Sequence, residues 1–177
     1  MNRTHWLLKM LVAFALMIVI ALVIILPIVA HAQELPHCTS DPTVPCNLPA
    51  AGYNLILDGT DLDGIGQALQ DGEEDAGVNG LFVLAIVIHE SGHGTSRLAL
   101  EENNLGGITG GNGYRSFGSW DECISFMFDL LSEDYIAAGR DTIEEISKVY
   151  CVPPGHWEDS VTEIMQELIR SAGDTRD

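Results

Sequence analysis

Basic residues are scarce in this 177-residue chain. Eight Lys and Arg face 26 Asp and Glu, and lysine occurs only at Lys9 and Lys148. The first 32 residues hold two of the basic residues, Arg3 and Lys9, and no acidic one, so the remainder carries 26 acidic against 6 basic residues, a net of −20. A surface of that sign excludes nucleic acid as a partner, because phosphates require a basic face. It also disfavours adhesion to anionic lipid. No two cysteines form a C-x-x-C pair, which removes the commonest thiolate metal site. Strand-like segments alternating with helices are missing too, and with them any signal for a parallel sheet.

One long hydrophobic run is present. Leu11 to Ala30 is apolar throughout apart from Pro27, and it follows a basic N-terminus. About twenty such residues can span a bilayer, whereas Pro27 and the small-residue site Ala30-His31-Ala32 favour a signal peptide cut after Ala32. Residues 1–32 are therefore a signal peptide or a membrane anchor in a hydrophobic helix. On either reading the remainder is extracytoplasmic, secreted or held at the membrane by that segment. The four cysteines, Cys38, Cys46, Cys123 and Cys151, agree with export, since an even count in an oxidising compartment favours disulfides. The pairing expected is Cys38–Cys46 and Cys123–Cys151. The first would close a loop rich in Pro36, Pro42, Pro45 and Pro49. The second would tie the start of one helix to the end of another.

The most informative stretch is Leu81 to Ile108, LFVLAIVIHESGHGTSRLALEENNLGGI. Leu81 to Ile88 is unbroken apolar sequence, and it leads to His89 and then to one carboxylate, Glu90. Gly92 and Gly94 follow and should end the helix there. A carboxyl group in apolar surroundings, facing a break in the backbone, suits a general acid. The same letters spell His89-Glu90-Ser91-Gly92-His93, an H-E-x-x-H pattern. In zinc peptidases that pattern places two histidines one turn apart on a continuous helix, with the glutamate as general base. Gly92 and Gly94 each cost about 1 kcal/mol in a helix interior, and no third ligand presents itself. His156 is remote, and Glu101 and Glu102 follow too soon. The metalloprotease with His89 and His93 as ligands is therefore the second reading, and the expectation is no metal and no cofactor.

Elsewhere the chain reads as helices joined by turns. Residues 33–54 form a Pro-rich, disulfide-closed linker, and Leu55 to Gly64 is a turn-rich lead-in. Asp63 is placed to cap a helix ending near Gly77, and Asn79 to cap the apolar one. Thr95 or Ser96 opens a short helix that breaks at Asn103-Asn104. Leu105 to Gly118 holds six glycines and must be a loop or short hairpin, with Asn112-Gly113 as the turn signal. Ser119 with Glu122, and Thr142 with Glu145, are capping boxes for two further helices. Trp157 to Ala172 is a last amphipathic helix, and residues 173–177 are a tail. About six helices around one core result.

These residues carry a resemblance. HESGHGTSRLALEENNLGGI resembles the core of the glucosaminidase family of peptidoglycan hydrolases, which reads E-S-G-x-G-x-S followed shortly by N-N-L-x-G-I. YRSFGS (Tyr114 to Ser119) and YCVPPGHW (Tyr150 to Trp157) are similar to later segments of that family, and the likeness covers roughly Leu55 to Ile169. It implies a mainly α, lysozyme-like catalytic domain over residues 55–172, with a short glycine-rich hairpin and a groove for the β-1,4 glycan of cell walls. It further implies Glu90 as catalytic acid with Tyr150 close by, and Asn103, Asn104, Gly107 and Ile108 as a wall that holds sugar N-acetyl groups through backbone bonds. Ser96 closes the first motif and joins the substrate-binding set. Tyr114, Phe117 and Trp157 offer faces on which sugar rings stack, with core packing as the structural alternative for each. The region after N-N-L-x-G-I departs from the longer hairpin of many members and contains no acid, leaving Asp121 and Glu122 as the nearest candidates for a second carboxylate. A non-catalytic glycan-binding protein of the same fold is the third reading.

Overall fold

The chain is organised around its most apolar helix. In the computed structural model, which describes residues 38–152 and 155–174 together with Ala13, Phe14 and Met17, this is α3, Gly80–Ser91. Apart from those three positions, the signal or anchor segment read at residues 1–32 lies outside the described residues, as do the last residues of the tail, 175–177. No helix among the described residues is long and apolar enough to cross a membrane.

Every residue from Leu81 to Ile88 is buried. Each large side chain removed from water contributes roughly 1.5–3 kcal/mol, so a helix apolar on all sides settles at the centre of the molecule. Its start is local chemistry: Asn79 accepts the backbone N–H groups of Leu81 and Phe82 at 3.0 and 3.4 Å. Its end is equally local. Gly92 takes the left-handed conformation, φ 57°, and its N–H returns to the carbonyl of Ile88.

The other helices wrap this one. They are α1 (Ala50–Leu57), α2 (Gly66–Ala76), α4 (Arg97–Glu102), α5 (Trp120–Asp129), α6 (Ile143–Tyr150) and α7 (Trp157–Asp174). α3 packs chiefly on α7 and also on α2 and α5, while α2 packs on α1 and α5, and α6 on α7. Two close approaches require glycine. A Cβ on Gly72 would sit 2.2 Å from the Phe128 ring, and one on Gly80 would sit 2.0 Å from the Tyr53 hydroxyl. After α5 the chain widens into a π-type turn over Leu130–Tyr135 and a 3-10 turn over Ile136–Ala138. Among the described residues one antiparallel hairpin, β1 (Thr109–Gly110) and β2 (Gly113–Tyr114), pairs Thr109 with Tyr114 and Gly110 with Gly113. Its turn residues are Gly111 and Asn112, one position earlier than Asn112-Gly113.

Four expected helix starts form as read. Asn79, Ser96, Ser119 and Thr142 each accept a backbone N–H in the first turn. Asp63 does not: α2 begins after Ile65 without a side-chain cap, and the Gly66 N–H is taken by Asn54 Oδ1 at 2.9 Å.

The linker expected at residues 33–54 is also revised. From Cys38 onward it belongs to the domain, with α1 starting at Ala50 and Cys46, Leu48 and Tyr53 buried in the common core. The cause is Glu73, a carboxylate only 2% exposed on α2. It accepts the N–H groups of Cys46 (2.5 Å), Asn47 (3.1 Å) and Gly80 (2.9 Å) and the Tyr53 hydroxyl (3.2 Å). A buried charge is tolerated only when its lone pairs are filled, and here four groups from three parts of the chain fill them. Burial, with Glu73 adding, pushes the Tyr53 phenol far above its ordinary value.

The Cys38–Cys46 disulfide is present. The Cys123–Cys151 bridge is not. Cys123 is fully buried in α5, and its thiol accepts the N–H of Leu105 at 3.3 Å, so the sulfur is turned towards the glycine-rich loop. Burial pushes that thiol upward in pKa.

Candidate active site

Glu90 lies one residue before the end of α3, half-buried where the apolar core meets the surface. The following residues build a fixed turn. Ser91 is fully buried, donates its hydroxyl to the Val87 carbonyl (2.6 Å) and accepts the Gly94 N–H (2.7 Å). Gly92, His93 and Gly94 all have positive φ, at 57°, 58° and 82°. Ser96 then accepts the Ala99 N–H at 3.1 Å and starts α4. The motif Glu90-Ser91-Gly92-His93-Gly94-Thr95-Ser96 is thus a helix stop, a tight turn and a helix start. Ser96 serves as a cap, with its hydroxyl oxygen turned to the α4 backbone.

That turn overturns the zinc reading. His89 is on α3, but the helix has ended before His93, whose backbone is left-handed. Two imidazoles four residues apart share a helix face only while the helix continues. His89 instead presents its ring edge-on to Trp157, with centroids 6.3 Å apart.

The loop after α4 closes over Glu90. Asn103 ends the helix in the left-handed conformation, φ 51°, and its side chain donates to the Phe117 carbonyl at 3.0 Å. Asn104 is buried. Its amide donates to the carbonyls of Ile108 and Arg115, both 2.8 Å, and its oxygen accepts the Ile108 N–H at 2.9 Å. The Ile108 carbonyl also receives the Arg115 N–H at 2.9 Å. The side-chain amides of Asn103 and Asn104 and the backbone of Ile108 are therefore engaged inside the loop, where they shape the wall. Gly107 differs. Its φ is 64°, and a Cβ there would lie 2.8 Å from Glu90 Oε2, so the loop backbone runs directly beside the carboxylate.

Two aromatic residues hold this arrangement. Tyr150, the last residue of α6, donates its hydroxyl to the Gly106 carbonyl at 2.7 Å. As a residue it is half-buried, but that hydroxyl lies inside. Burial drives the phenol well above its usual pKa, and the charge of Glu90 adds to the effect. Trp157, the first residue of α7, is 2% exposed and donates its indole N–H to Glu90 Oε1 at 2.7 Å. Its ring stacks on Tyr150, with centroids 5.2 Å apart and planes at 30°. A cleft of about 230 Å³ opens beside Gly107 and Tyr150, with Thr109, Leu130 and Tyr135 also in its lining.

The expected sugar platforms divide. Trp157 is buried and faces Glu90, so it does not stack on a sugar. Phe117 is buried against Phe126 (5.6 Å), with the Arg115 guanidinium over both rings. Tyr114 is 66% exposed on β2. With Arg97, Leu98, Glu101, Glu102 and Ser116 it lines a groove of about 450 Å³.

The acidic neighbours have other occupations. Glu122 accepts the Gly118 N–H at 2.7 Å, Glu102 accepts the Ser116 hydroxyl, and Glu101 pairs with Arg97 at 3.5 Å. Asp121 lines a separate groove between α2 and α5 with Asp71, Asp75 and Asp129. The role of Trp157 towards Glu90 was not readable in sequence, because 67 residues separate the two and only the packing of α7 on α3 joins them.

A mainly helical domain with one carboxyl group at a helix end, set against a glycine loop, is the architecture of a lysozyme-like glycoside hydrolase. Comparisons with known proteins agree. The fold matches autolysin E of Staphylococcus aureus in complex with the muropeptide NAM-L-Ala-D-iGlu, with a TM-score of 0.63 and 18% identity over 80% of this chain and 74% of that one. A catalytic glutamate-to-alanine mutant of that autolysin in complex with the disaccharide NAG-NAM matches with a TM-score of 0.63 and 17% identity, over 80% and 75% of the two chains. The major bifunctional autolysin matches with a TM-score of 0.59 and 19% identity, over 80% and 71%. No curated protein sequence matches. Residues 66–170 match the glucosaminidase model, described as mannosyl-glycoprotein endo-beta-N-acetylglucosaminidase, and the chain belongs to that family.

Proposed function

We propose that this protein is an exported enzyme that cleaves the β-1,4 glycan strand of bacterial peptidoglycan, with Glu90 as general acid. The observation that carries the reading is the placement of Glu90. It is the one acidic side chain of the buried helix α3, and its Oε2 lies against Gly107 of the loop. The muropeptide and disaccharide bound by the structurally similar autolysin support the substrate class. The apolar run at Leu11 to Ala30 and the Cys38–Cys46 bridge support export.

Cleavage needs a proton on the leaving oxygen and a partner for the positive charge that develops at C1. Glu90 supplies the proton as the C1–O bond breaks. With the neighbouring acids otherwise engaged, the substrate supplies the second group. Its N-acetyl oxygen can bond to C1, and water, deprotonated by the Glu90 carboxylate, then opens that ring. Alternatively its 6-hydroxyl attacks C1 and returns its proton to Glu90, leaving a 1,6-anhydro end. The exposed ring of Tyr114 and the groove beside it provide a stacking surface for the strand.

Replacing Glu90 by Gln tests the assignment. The variant should keep its fold and lose wall lysis by a factor on the order of 10²–10⁴, and an active variant defeats it. Mass spectrometry of digested peptidoglycan distinguishes reducing from anhydro ends and identifies the bond cut.

A further inference from the structure

We infer that Trp157 is the positioning residue of Glu90 and decides which of its two oxygens carries the transferred proton. The inference rests on the reading of Glu90 as the acid. Its starting point is the short hydrogen bond from the indole N–H to Glu90 Oε1, 2.7 Å long, made by a tryptophan that is almost wholly buried.

An indole N–H donates and cannot accept, so Oε1 is the acceptor in both protonation states of the acid. In a protonated carboxyl group the carbonyl oxygen accepts more strongly than the hydroxyl oxygen. The proton is therefore directed to Oε2. That oxygen is the one beside Gly107, on the side of the glycine loop. Once the proton has left, the same N–H stabilises the carboxylate that remains. The indole thus acts at both ends of the proton's path without touching the substrate.

The ring is held firmly enough for this. Tyr150 stacks on one side at 5.2 Å, and the edge of His89 meets it at 6.3 Å with planes at 84°. Tyr150 is itself fixed by its bond to Gly106. Trp157, Tyr150 and the loop therefore form one chain of contacts that begins and ends at Glu90. A tryptophan that only filled the core would need neither the donor nor its orientation.

The test is Trp157→Phe in the full chain, which keeps an aromatic ring and removes the N–H. The expected result is an unchanged circular dichroism spectrum, unchanged KM for soluble glycan, a fall in kcat on the order of 10- to 100-fold and a displaced pH–rate profile. A kcat and pH profile equal to those of the wild type overturn the inference. Should the variant fail to fold, the wild-type protein decides the matter. The indole N–H resonance of Trp157 in a ¹⁵N spectrum should titrate together with the alkaline limb of the pH–rate profile, along which the general acid loses its proton, and stop titrating in Glu90→Gln. A resonance flat with pH overturns the inference. Lysis by Glu90→Gln would defeat the functional reading itself, whereas an inactive Glu90→Gln beside a fully active Trp157→Phe defeats only the role of Trp157.

Discussion

The hydroxyl of Tyr150 donates to the carbonyl oxygen of Gly106 across 2.7 Å, and so joins the end of α6 to the loop beside Glu90. Tyr150→Phe removes that bond and leaves a buried carbonyl without its partner. A cost of about 1–2 kcal/mol is expected, measurable by denaturant unfolding. Activity should fall as the loop loosens while substrate affinity changes little. Unaltered stability and rate together would show that the bond does not hold the loop.

Alkaline pH should destabilise the fold through its tyrosines. Burial raises the phenol of Tyr53, with the charge of Glu73 and the hydrogen bond to it adding, and burial raises that of Tyr150, with Glu90 adding. In the unfolded chain both release their protons near pH 10, while in the folded protein both keep them. The stability they contribute is complete below that pH and is lost as pH rises towards the folded values, at about 1.4 kcal/mol per pH unit for each tyrosine. Melting temperature should therefore drop steeply above pH 10. The slope should be shallower in Tyr53→Phe, and an equal slope in that variant counts against the assignment.

Gly107→Ala probes the contact between the loop and the acid. A side chain at φ 64° costs roughly 1–2 kcal/mol, and its methyl group would press on Glu90 Oε2 at 2.8 Å. Catalytic rate should therefore fall further than the loss of stability alone would cause, which a comparison of kcat with melting temperature reveals. Wild-type kcat in a folded variant speaks against the contact.

Reduction acts at one place. The Cys38–Cys46 bridge closes a short loop of sequence separation 8, worth about 2–3 kcal/mol in the chain-entropy model. Non-reducing peptide maps should show that bridge and no Cys123–Cys151 peptide. Reductant should lower the melting temperature, and a protein indifferent to it would remove the bridge from the account of stability.

The histidines offer a separate check. Because His93 lies beyond the end of α3, EDTA should leave lysis unchanged. Metal analysis showing stoichiometric zinc would restore the peptidase reading.

Features with local causes were legible in the sequence. Asn79, Ser96, Ser119 and Thr142 each cap a helix through groups two or three residues away, and Gly92 ends α3 for reasons visible in its neighbours. The placement of Glu90 at that helix end follows from the same letters. Features with distant causes were not legible. α1 has no side-chain cap and contains Gly52, so its helix is supported mainly by packing on α2. Whether Trp157 and Phe117 face sugar, core or carboxylate depends on partners brought in by tertiary packing, and aromatic character alone does not reveal it. Cys123 misled for a related reason, since its sulfur is drawn to the backbone of Leu105.

Glu73 has a bearing on where the domain can be cut. The family likeness begins at residue 66, but three of the four groups that satisfy this buried carboxylate, on Cys46, Asn47 and Tyr53, lie upstream of that point. A fragment starting there would keep Glu90 and strand a desolvated negative charge with the Gly80 N–H as its remaining donor. The buried contacts of the domain therefore extend back to the disulfide loop, well ahead of the segment by which kinship is recognised.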